Sequence, residues 1–315
     1  MRTVSGLAEF PPHLDSLVLA LGTFDGVHLG HRQVIGQAVA RAREIGGRAV
    51  VVTFEPHPLE VLRPSAEPVL LTTLDERLVL FDEIGVDVAL ILTFDLEFSR
   101  LPARAWLDDI LTARLGAREV FVGTSYTFGH RREGTASRLA EWGGTRGLPV
   151  HLVPAVLVGG EPVNSSRIRS ALREGLADEA AGLLGRWYSL RGRVVQGSGR
   201  GRTLGFPTAN LQVEARKVVP GRGVYATAAT VHGRRYGAAT NIGYRPTFGG
   251  GALAVETHLL DYTGELAGED LTLAFIHRIR DERTFPGPEA LVRQIHDDVA
   301  RARELLAAAG PGIIR

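Results

Sequence analysis

Apolar positions in the first 160 residues follow two rhythms. Short continuous runs, LDSLVLALGTF, RAVVVTFEP, VDVALILTF, REVFVGT and LPVHLVP, read as buried strands. Between them, apolar residues recur three and four apart. A helix is expected over residues 30–44, with Val34, Ile35, Ala38, Val39 and Ala42 on one face. Another is expected over DERLVLFDEIG, with Leu78, Phe81 and Ile84 inward and Gly85 as its stop. Helical segments also fall around 103–115 and 135–144, while EPHPLEVLRP reads as a Pro-rich loop. Strands alternating with helices predict an α/β domain with a parallel, doubly wound sheet. Ligands bind such sheets beyond the C-terminal ends of the strands. The turns GTFDGVHLGH, TFEPHP and VGTSYTFGHR all fall at such ends and are expected to line one crevice.

Two helical stretches follow, SSRIRSALREG and ADEAAGLLGRWY, the first capped by Ser165 or Ser166. Beyond Arg186 the period falls to two. LRGRVVQG, GVYATAATVH, AVETHLLD and LTLAFIHRIRDE alternate between Gly- and Pro-rich turns, which predicts an antiparallel barrel or sandwich. Pro288 opens a terminal helix with Leu291, Val292, Ile295 and Val299 on one face. The change of texture divides the chain into domains at residues 1–185 and 186–315, with no long linker between them.

Composition narrows the chemistry. Hydrophobic residues make up 44% and charged residues 23%, the balance of a globular chain with 315 residues to share between two cores. No apolar run approaches the ~18–20 residues that cross a bilayer, and residues 1–15 lack the apolar centre of a signal peptide. A cytoplasmic location without membrane association is the expectation. Net charge is +1, so no global field draws nucleic acid. There is no cysteine, hence no disulfide, thiolate nucleophile or thiolate-bound metal. Lys217 is the only lysine, and the Gly-Lys-Ser/Thr signature of a P-loop is missing. Phosphate would be held by Arg, His, hydroxyls, backbone amides or a metal.

His28 and His31 in LGTFDGVHLGH leave three readings open. They could share a metal with Glu55 and His57, handle a phosphate, or be structural. Gly22, Gly26 and Gly30 let backbone approach a ligand closely, and a helix N-terminus offers free amides and a positive dipole end to an anion. Two imidazoles there can donate to charge growing on an α-phosphate. Farther along, Ser165, Ser166, Arg167 and Arg169 combine hydroxyls with guanidinium forks suited to phosphate oxygens.

HxGH followed by SSRIR in this order resembles the two-part pattern of HUP-type nucleotidyltransferases with a Rossmann-like fold. GRTLGFPTANL, PGRGVYA, TNIGYRPTFGG and VETHLLDYTGEL together resemble a riboflavin kinase domain. Over residues 18–306 the chain is similar to the bacterial bifunctional riboflavin kinase/FAD synthetase family. The resemblance implies ATP and Mg2+ as cofactors, and riboflavin, FMN and FAD as substrates and products. It implies Glu256 as catalytic base, Thr208 and Asn210 on the metal and ATP phosphates, and a loop over the phosphates that includes Gly201. Arg283, with Phe285, would contact the flavin. In the first domain it implies His28 and His31 as catalytic groups for adenylyl transfer, with Gly22, Phe24, Gly26, Ser165, Ser166, Arg167 and Arg169 around ATP. Phe54, Pro56, Pro58, Tyr126 and Phe128 would form an apolar slot for the isoalloxazine ring.

The chain departs from the family pattern at Ser125-Tyr126, where Asp or Asn followed by Phe is usual, at Asn164 in NSSRIR, at Trp187 and at Ala267. Ser125, with its shorter reach, supports an alternative: an active kinase joined to a weakened or redirected nucleotidyltransferase. A monomer or weak homo-oligomer is expected, with transfer of flavin to apo-flavoproteins as a further partner role.

Overall fold

The computed structural model describes residues 1–11, 16–64, 70–197, 201, 204–244 and 253–310. The chain divides between Ser165 and Ser166 into two compact units.

In the first unit, strands β1 (Arg2–Ser5), β2 (Leu17–Leu21), β3 (Arg48–Glu55), β4 (Val88–Thr93) and β5 (Ala117–Gly123) join one sheet. After β5 come a two-residue-strand hairpin, β6 (Thr127–Phe128) and β7 (Gly134–Thr135), and then β8 (Val150–Val153). The sheet order is β1-β4-β3-β2-β5-β8, with every neighbouring pair parallel. Because successive side chains of a strand face opposite ways, the apolar runs feed two cores. Leu17, Leu19, Val50 and Val52 pack with Trp106, Leu107 and Leu139 on one side. Val18, Ala20, Ala49 and Val51 pack with Ile35, Ala38, Leu80 and Phe81 on the other. The doubly wound sheet expected from the sequence is what forms.

Helix α1 (Leu29–Glu44) buries Val34, Ile35, Ala38 and Ala42 and leaves Val39 half-buried. The Pro-rich stretch expected to be a loop contains a short helix, α2 (Pro58–Leu62), because His57 caps it. Helix α3 (Leu74–Ile84) ends at Gly85 as expected. Its most buried face is Arg77, Leu80 and Phe81, whereas Leu78 and Ile84 are only half-buried. The helix expected over 103–115 is one α-turn, α4 (Ala103–Ala105), running into π-helical residues Trp106–Arg114. Its last turn is widened as Leu115 N–H donates to the Ile110 carbonyl, five residues back. Helix α5 (Ala136–Gly144) and a small antiparallel pair, β9 (Leu157–Val158) and β10 (Glu161–Pro162), complete the unit.

The second unit starts with helices α6 (Ser165–Arg173) and α7 (Ala177–Leu184). They group with the barrel even though the sequence changes texture only at 186. Gly221 N–H donates to the Leu172 carbonyl at 2.8 Å, tying the end of α6 to the barrel's own chain. Strands β11 (Tyr188–Val195), β12 (Ala209–Val213), β13 (Gly223–Val231), β14 (Arg234–Tyr244), β15 (Leu253–Leu259) and β16 (Asp270–Arg280) close in the order β11-β12-β15-β14-β13-β16. Of barrel or sandwich, the chain adopts the closed barrel. Inside it, Thr227, Thr240 and Thr257 form a ladder of fully buried hydroxyls, Oγ1 to Oγ1 at 2.7 and 2.8 Å. Outside, α8 (Pro288–Ala308) covers Ala226, Ala228 and Ile276 with Ala302 and Leu306. The expected face, Leu291, Val292, Ile295 and Val299, is only half-buried. Asp298 is buried instead, where it accepts from Arg280 Nη2 at 2.6 Å and Nε at 2.8 Å.

Candidate functional site

Three turns leave the C-terminal ends of the adjacent strands β3, β2 and β5 in the first unit. Strand β2 feeds α1 and has β3 on one side and β5 on the other, which makes this the point where the sheet order reverses.

The β2–α1 turn is conformationally costly. Phe24 (φ 49) and Val27 (φ 39) are left-handed, as is Gly26 (φ 85). For non-glycine residues, and a β-branched one above all, this costs about 1–3 kcal/mol each. Burial holds them, since Phe24 is 2% exposed and Val27 is fully buried. Asp25 braces the turn from inside: its carboxylate accepts from Leu71 N–H at 2.9 Å and Thr72 N–H at 3.0 Å. Gly26 N–H donates to Thr72 Oγ1 at 2.8 Å, and Ser165 Oγ donates to the Asp25 carbonyl at 3.0 Å. Of the residues expected around ATP, the structure thus brings Gly22, Phe24, Gly26 and Ser165 to one turn.

His28 is the N-cap of α1. Its Nδ1 accepts from His31 N–H at 3.2 Å, and the two rings stack with centroids 3.5 Å apart. An Nδ1 that accepts leaves the proton on Nε2, so His28 presents an N–H donor at that atom. Gly30 gives this fold-back room: a Cβ there would lie 3.2 Å from the His28 ring, which would have to shift by a few tenths of an ångström. Phe24 stands edge-on to His31 at 5.3 Å. The metal reading loses its third ligand here. His57 Nδ1 accepts from Leu59 N–H as the cap of α2, and no group of three His, Cys, Asp or Glu suited to a metal occurs among the described residues.

Phe54 and Phe128 are buried in the same core cluster, with Tyr126 packed against it. Phe94, Phe98 and Trp106 pack in the same cluster. Phe54 lies 5.7, 5.6 and 6.1 Å from their ring centres. Tyr126 stacks on Phe128 at 5.5 Å, and burial pushes its hydroxyl pKa upward. Pro56 and Pro58 flank His57 on the neighbouring turn and are half-buried. Ser125 is exposed at the tip of its turn.

In the second unit, Arg167 pairs with Glu179 of α7 at 3.1 Å, Arg169 is 8% exposed, and Ser166 is exposed. On the barrel, Glu256 of β15 stands directly opposite Asn210 of β12 and Asn241 of β14. Residues opposite one another share a face, so the three side chains form one row. Thr257 and Val255 are buried on the other face, which puts the row outside the barrel. Asn210 is buried there beneath Gly197, where a Cβ would fall 2.0 Å from its Nδ2. At Gly201 a Cβ would lie 2.4 Å from the Phe206 carbonyl oxygen and 3.0 Å from Thr208 Oγ1. The chain around Gly197 and Gly201 therefore lies hard against Asn210 and Thr208. The hydroxyl and amide oxygens there are hard donors of the kind magnesium takes. The rest of the GSGRGRTLGF loop, residues 198–200 and 202–203, and 245–250 of TNIGYRPTFGG lie outside the described residues. Arg283 is exposed and stands over the Phe285 ring at 5.3 Å.

Sequence reasoning missed Asp25, Arg77 and Asn241. For Arg77 a signal existed: it shares a helix face with Leu80 and Phe81, three and four residues on. For Asn241 the register was needed.

The fold and its two clusters define a two-domain transferase, one half shaped for a nucleotide and the other carrying a carboxylate beside hard oxygen donors. Comparison with known proteins sharpens this. The family model described as FAD synthetase matches residues 11–167, and that of riboflavin kinase matches 184–306. A curated relative from Pseudomonas fluorescens, named bifunctional riboflavin kinase/FMN adenylyltransferase, is 38% identical and covers 98% of both chains. Its namesake from Listeria monocytogenes is 37% identical over 92% of each. A crystal structure described as a macrolide-efflux protein from Streptococcus pneumoniae superposes with a TM-score of 0.87 at 32% identity, covering 96% of this chain and 99% of that one. No helix among the described residues is long and apolar enough to cross a membrane. The chain belongs to the bifunctional riboflavin kinase/FMN adenylyltransferase family. Both domains are present and the named relatives carry both activities, so a redirected first domain finds no support.

Proposed function

We propose that the second unit phosphorylates riboflavin with ATP to give FMN, and that the first transfers AMP from ATP to FMN, giving FAD and pyrophosphate. The observation that carries this division of labour is that His28–His31 and Glu256 lie in different units.

In the kinase step Glu256 takes the proton of the riboflavin 5′-hydroxyl as that oxygen attacks the γ-phosphorus and the bond to ADP breaks. Thr208 and Asn210 hold the magnesium that accompanies ATP, which offsets charge on the phosphates. Gly201 lets the chain close over them, and Arg283 with Phe285 meets the flavin. In the adenylyl step a phosphate oxygen of FMN attacks the α-phosphorus, and pyrophosphate leaves. His28 and His31 donate to the oxygens on which charge builds, and the head of α1 adds its free amides. Phe54, Tyr126 and Phe128, with Pro56 and Pro58 beside them, hold the isoalloxazine ring. Ser165, whose hydroxyl meets the β2–α1 turn, serves the phosphates. The functional domains divide at 185/186. The protein works in the cytoplasm as a monomer or weak homo-oligomer and passes flavin to apo-flavoproteins.

The test is a time course of the purified protein with riboflavin, ATP and magnesium, resolved by chromatography. FMN rising first and FAD following is the expected result. FMN accumulating without FAD would refute the role given to the first unit.

A further inference from the structure

Arg77 is the largest fully buried side chain among the described residues, at 1% exposure, and it lies in the unit that carries the histidine pair. From α3 its guanidinium reaches two of the three turns at once. Nη1 donates to the Thr23 carbonyl at 3.0 Å in the β2–α1 turn. The same nitrogen donates to Thr53 Oγ1 at 3.1 Å and to the Phe54 carbonyl at 3.3 Å at the end of β3. Nη2 donates to Glu55 Oε2 at 2.6 Å, the first residue after Phe54. Thr53 adds a cross-link of its own, its hydroxyl donating to the Thr23 carbonyl at 2.9 Å.

Stability does not account for this arrangement. Burying a guanidinium is costly even when paired, and an apolar side chain of similar volume is often at least as stable in such a place. Burial pulls the Arg77 pKa downward despite Glu55, and Nε is buried with no hydrogen-bond partner among the described residues. What a guanidinium does, and an apolar side chain or an ammonium cannot, is span several acceptors in one rigid plane. Here those acceptors belong to the strand end that precedes His28 and to the strand end that carries Phe54.

We propose that Arg77 is a positioning residue that sets the registry between the nucleotide-side turn and the flavin-side turn, and so between the α-phosphate and the FMN oxygen that attacks it. The inference rests on the roles proposed above for His28, His31 and Phe54. Each turn keeps its own substrate contacts without Arg77; what is lost is their alignment, to which in-line displacement is acutely sensitive.

The experiment uses Arg77→Lys and Glu55→Gln in the full chain. Glu55→Gln perturbs a partly exposed group and guards against misfolding of the arginine variant. The expected result for Arg77→Lys is a fall of about 100-fold in kcat for FAD formation, with KM for FMN and for ATP each within about threefold of the parent. Glu55→Gln should move kcat in the same direction by less. Riboflavin phosphorylation, read on the same samples, should be unchanged, and the retained KM values for FMN and ATP report that the first unit is folded. An unchanged kcat in both variants overturns the proposal, as does a loss carried wholly by KM for one substrate, because Arg77 then shapes only one turn. His28→Ala/His31→Ala is run alongside. If that variant forms FAD at the parent rate, the site assignment itself fails, whatever Arg77 does.

Discussion

The two units place their chemistry in opposite ways. In the sheet unit the proposed reactive groups, His28 and His31, follow a turn that is strained: Phe24 and Val27 are left-handed, and Asp25, Thr72 and Arg77 brace it with hydrogen bonds. In the barrel the proposed base, Glu256, sits on a strand, and its position follows from the register that pairs it with Asn210 and Asn241. A strand in a closed barrel is held by two ladders of backbone bonds, whatever its side chains are. A turn is held only by what its side chains and neighbours supply. The consequence is that single substitutions beside the site should damage adenylyl transfer much more than phosphorylation.

The largest effects isolate the two sites. Glu256→Gln should lower FMN formation by about 10²–10⁴-fold, the range for a lost general base. FAD formation from supplied FMN should be untouched. His28→Ala/His31→Ala should do the reverse, lowering FAD formation by about 10²–10³-fold, as when donors to a developing oxyanion are removed. Parallel assays of the two steps check both. Loss of both activities in either variant would mean that the units do not divide the chemistry as described.

Next comes the cost of the braces. Asp25→Ala removes the acceptor of the Leu71 and Thr72 N–H groups, in a place from which water is excluded. Each buried donor left unpaired costs about 1–3 kcal/mol. The strained turn should relax, so denaturant unfolding of the sheet unit and FAD formation should fall together. In the barrel, Thr240→Val breaks the middle of the hydroxyl ladder and leaves Thr227 and Thr257 each short of a partner. It should cost about 1–3 kcal/mol of stability, yet leave the FMN rate within about twofold, because Glu256 faces the other side of its strand. If Thr240→Val lowered the FMN rate as strongly as Asp25→Ala lowers FAD formation, the contrast between turn-held and strand-held sites would collapse.

The sequence made different parts of this legible for different reasons. The parallel strands were readable because strands buried on both faces are nearly continuous apolar runs, as in VALILT. Strand β1 was not, since RTVS is four residues with one buried position, and its place beside β4 depends on tertiary pairing. Strands β12 and β14 were hidden because the face that carries Asn210 and Asn241 breaks the apolar alternation, with Gln212 in one strand and Gly237, Ala239 and Gly243 in the other. The histidine pair was legible because HxGH at a strand-to-helix junction is a local arrangement. Arg77 was legible only as a position on the face of α3 shared with Leu80 and Phe81; that an arginine can be buried there depends on four acceptors gathered from other segments. The packing of Phe94, Phe98 and Trp106 around Phe54 was hidden for the same reason, since they arrive from separate segments of the chain.

The smallest effect sharpens the comparison by pH. The core of the barrel is cross-linked by neutral hydroxyls, which do not titrate. The sheet unit depends on carboxylates. Glu119 lies between Arg41, which donates at 2.8 Å, and His151 at 2.7 Å, and the bond from Arg41 holds its pKa below the ordinary carboxylate range. Asp87 is lowered as well: burial pushes its pKa up, but hydrogen bonds from Arg43 and from Ala49 N–H outweigh that. A carboxylate depressed in the folded state contributes stability above its unfolded pKa, and loses it as pH falls through the folded value. In the second unit Asp261 beside Arg303 and Glu214 beside Arg216 are lowered too, but both are exposed, where solvent screening leaves such pairs little to contribute. Acid should therefore weaken the sheet unit more. Trp106 and Trp142 lie in that unit and Trp187 in the other, so Trp187→Phe makes tryptophan fluorescence a reporter of the sheet unit alone. In that background Glu119→Gln should lower stability at neutral pH and flatten its decline towards acid, whereas Thr240→Val should shift the barrel's stability by the same amount at every pH. An acid decline equally steep with and without Glu119 would place the sensitive carboxylates elsewhere, and the sheet unit would then owe its tolerance of strain to packing rather than to charge.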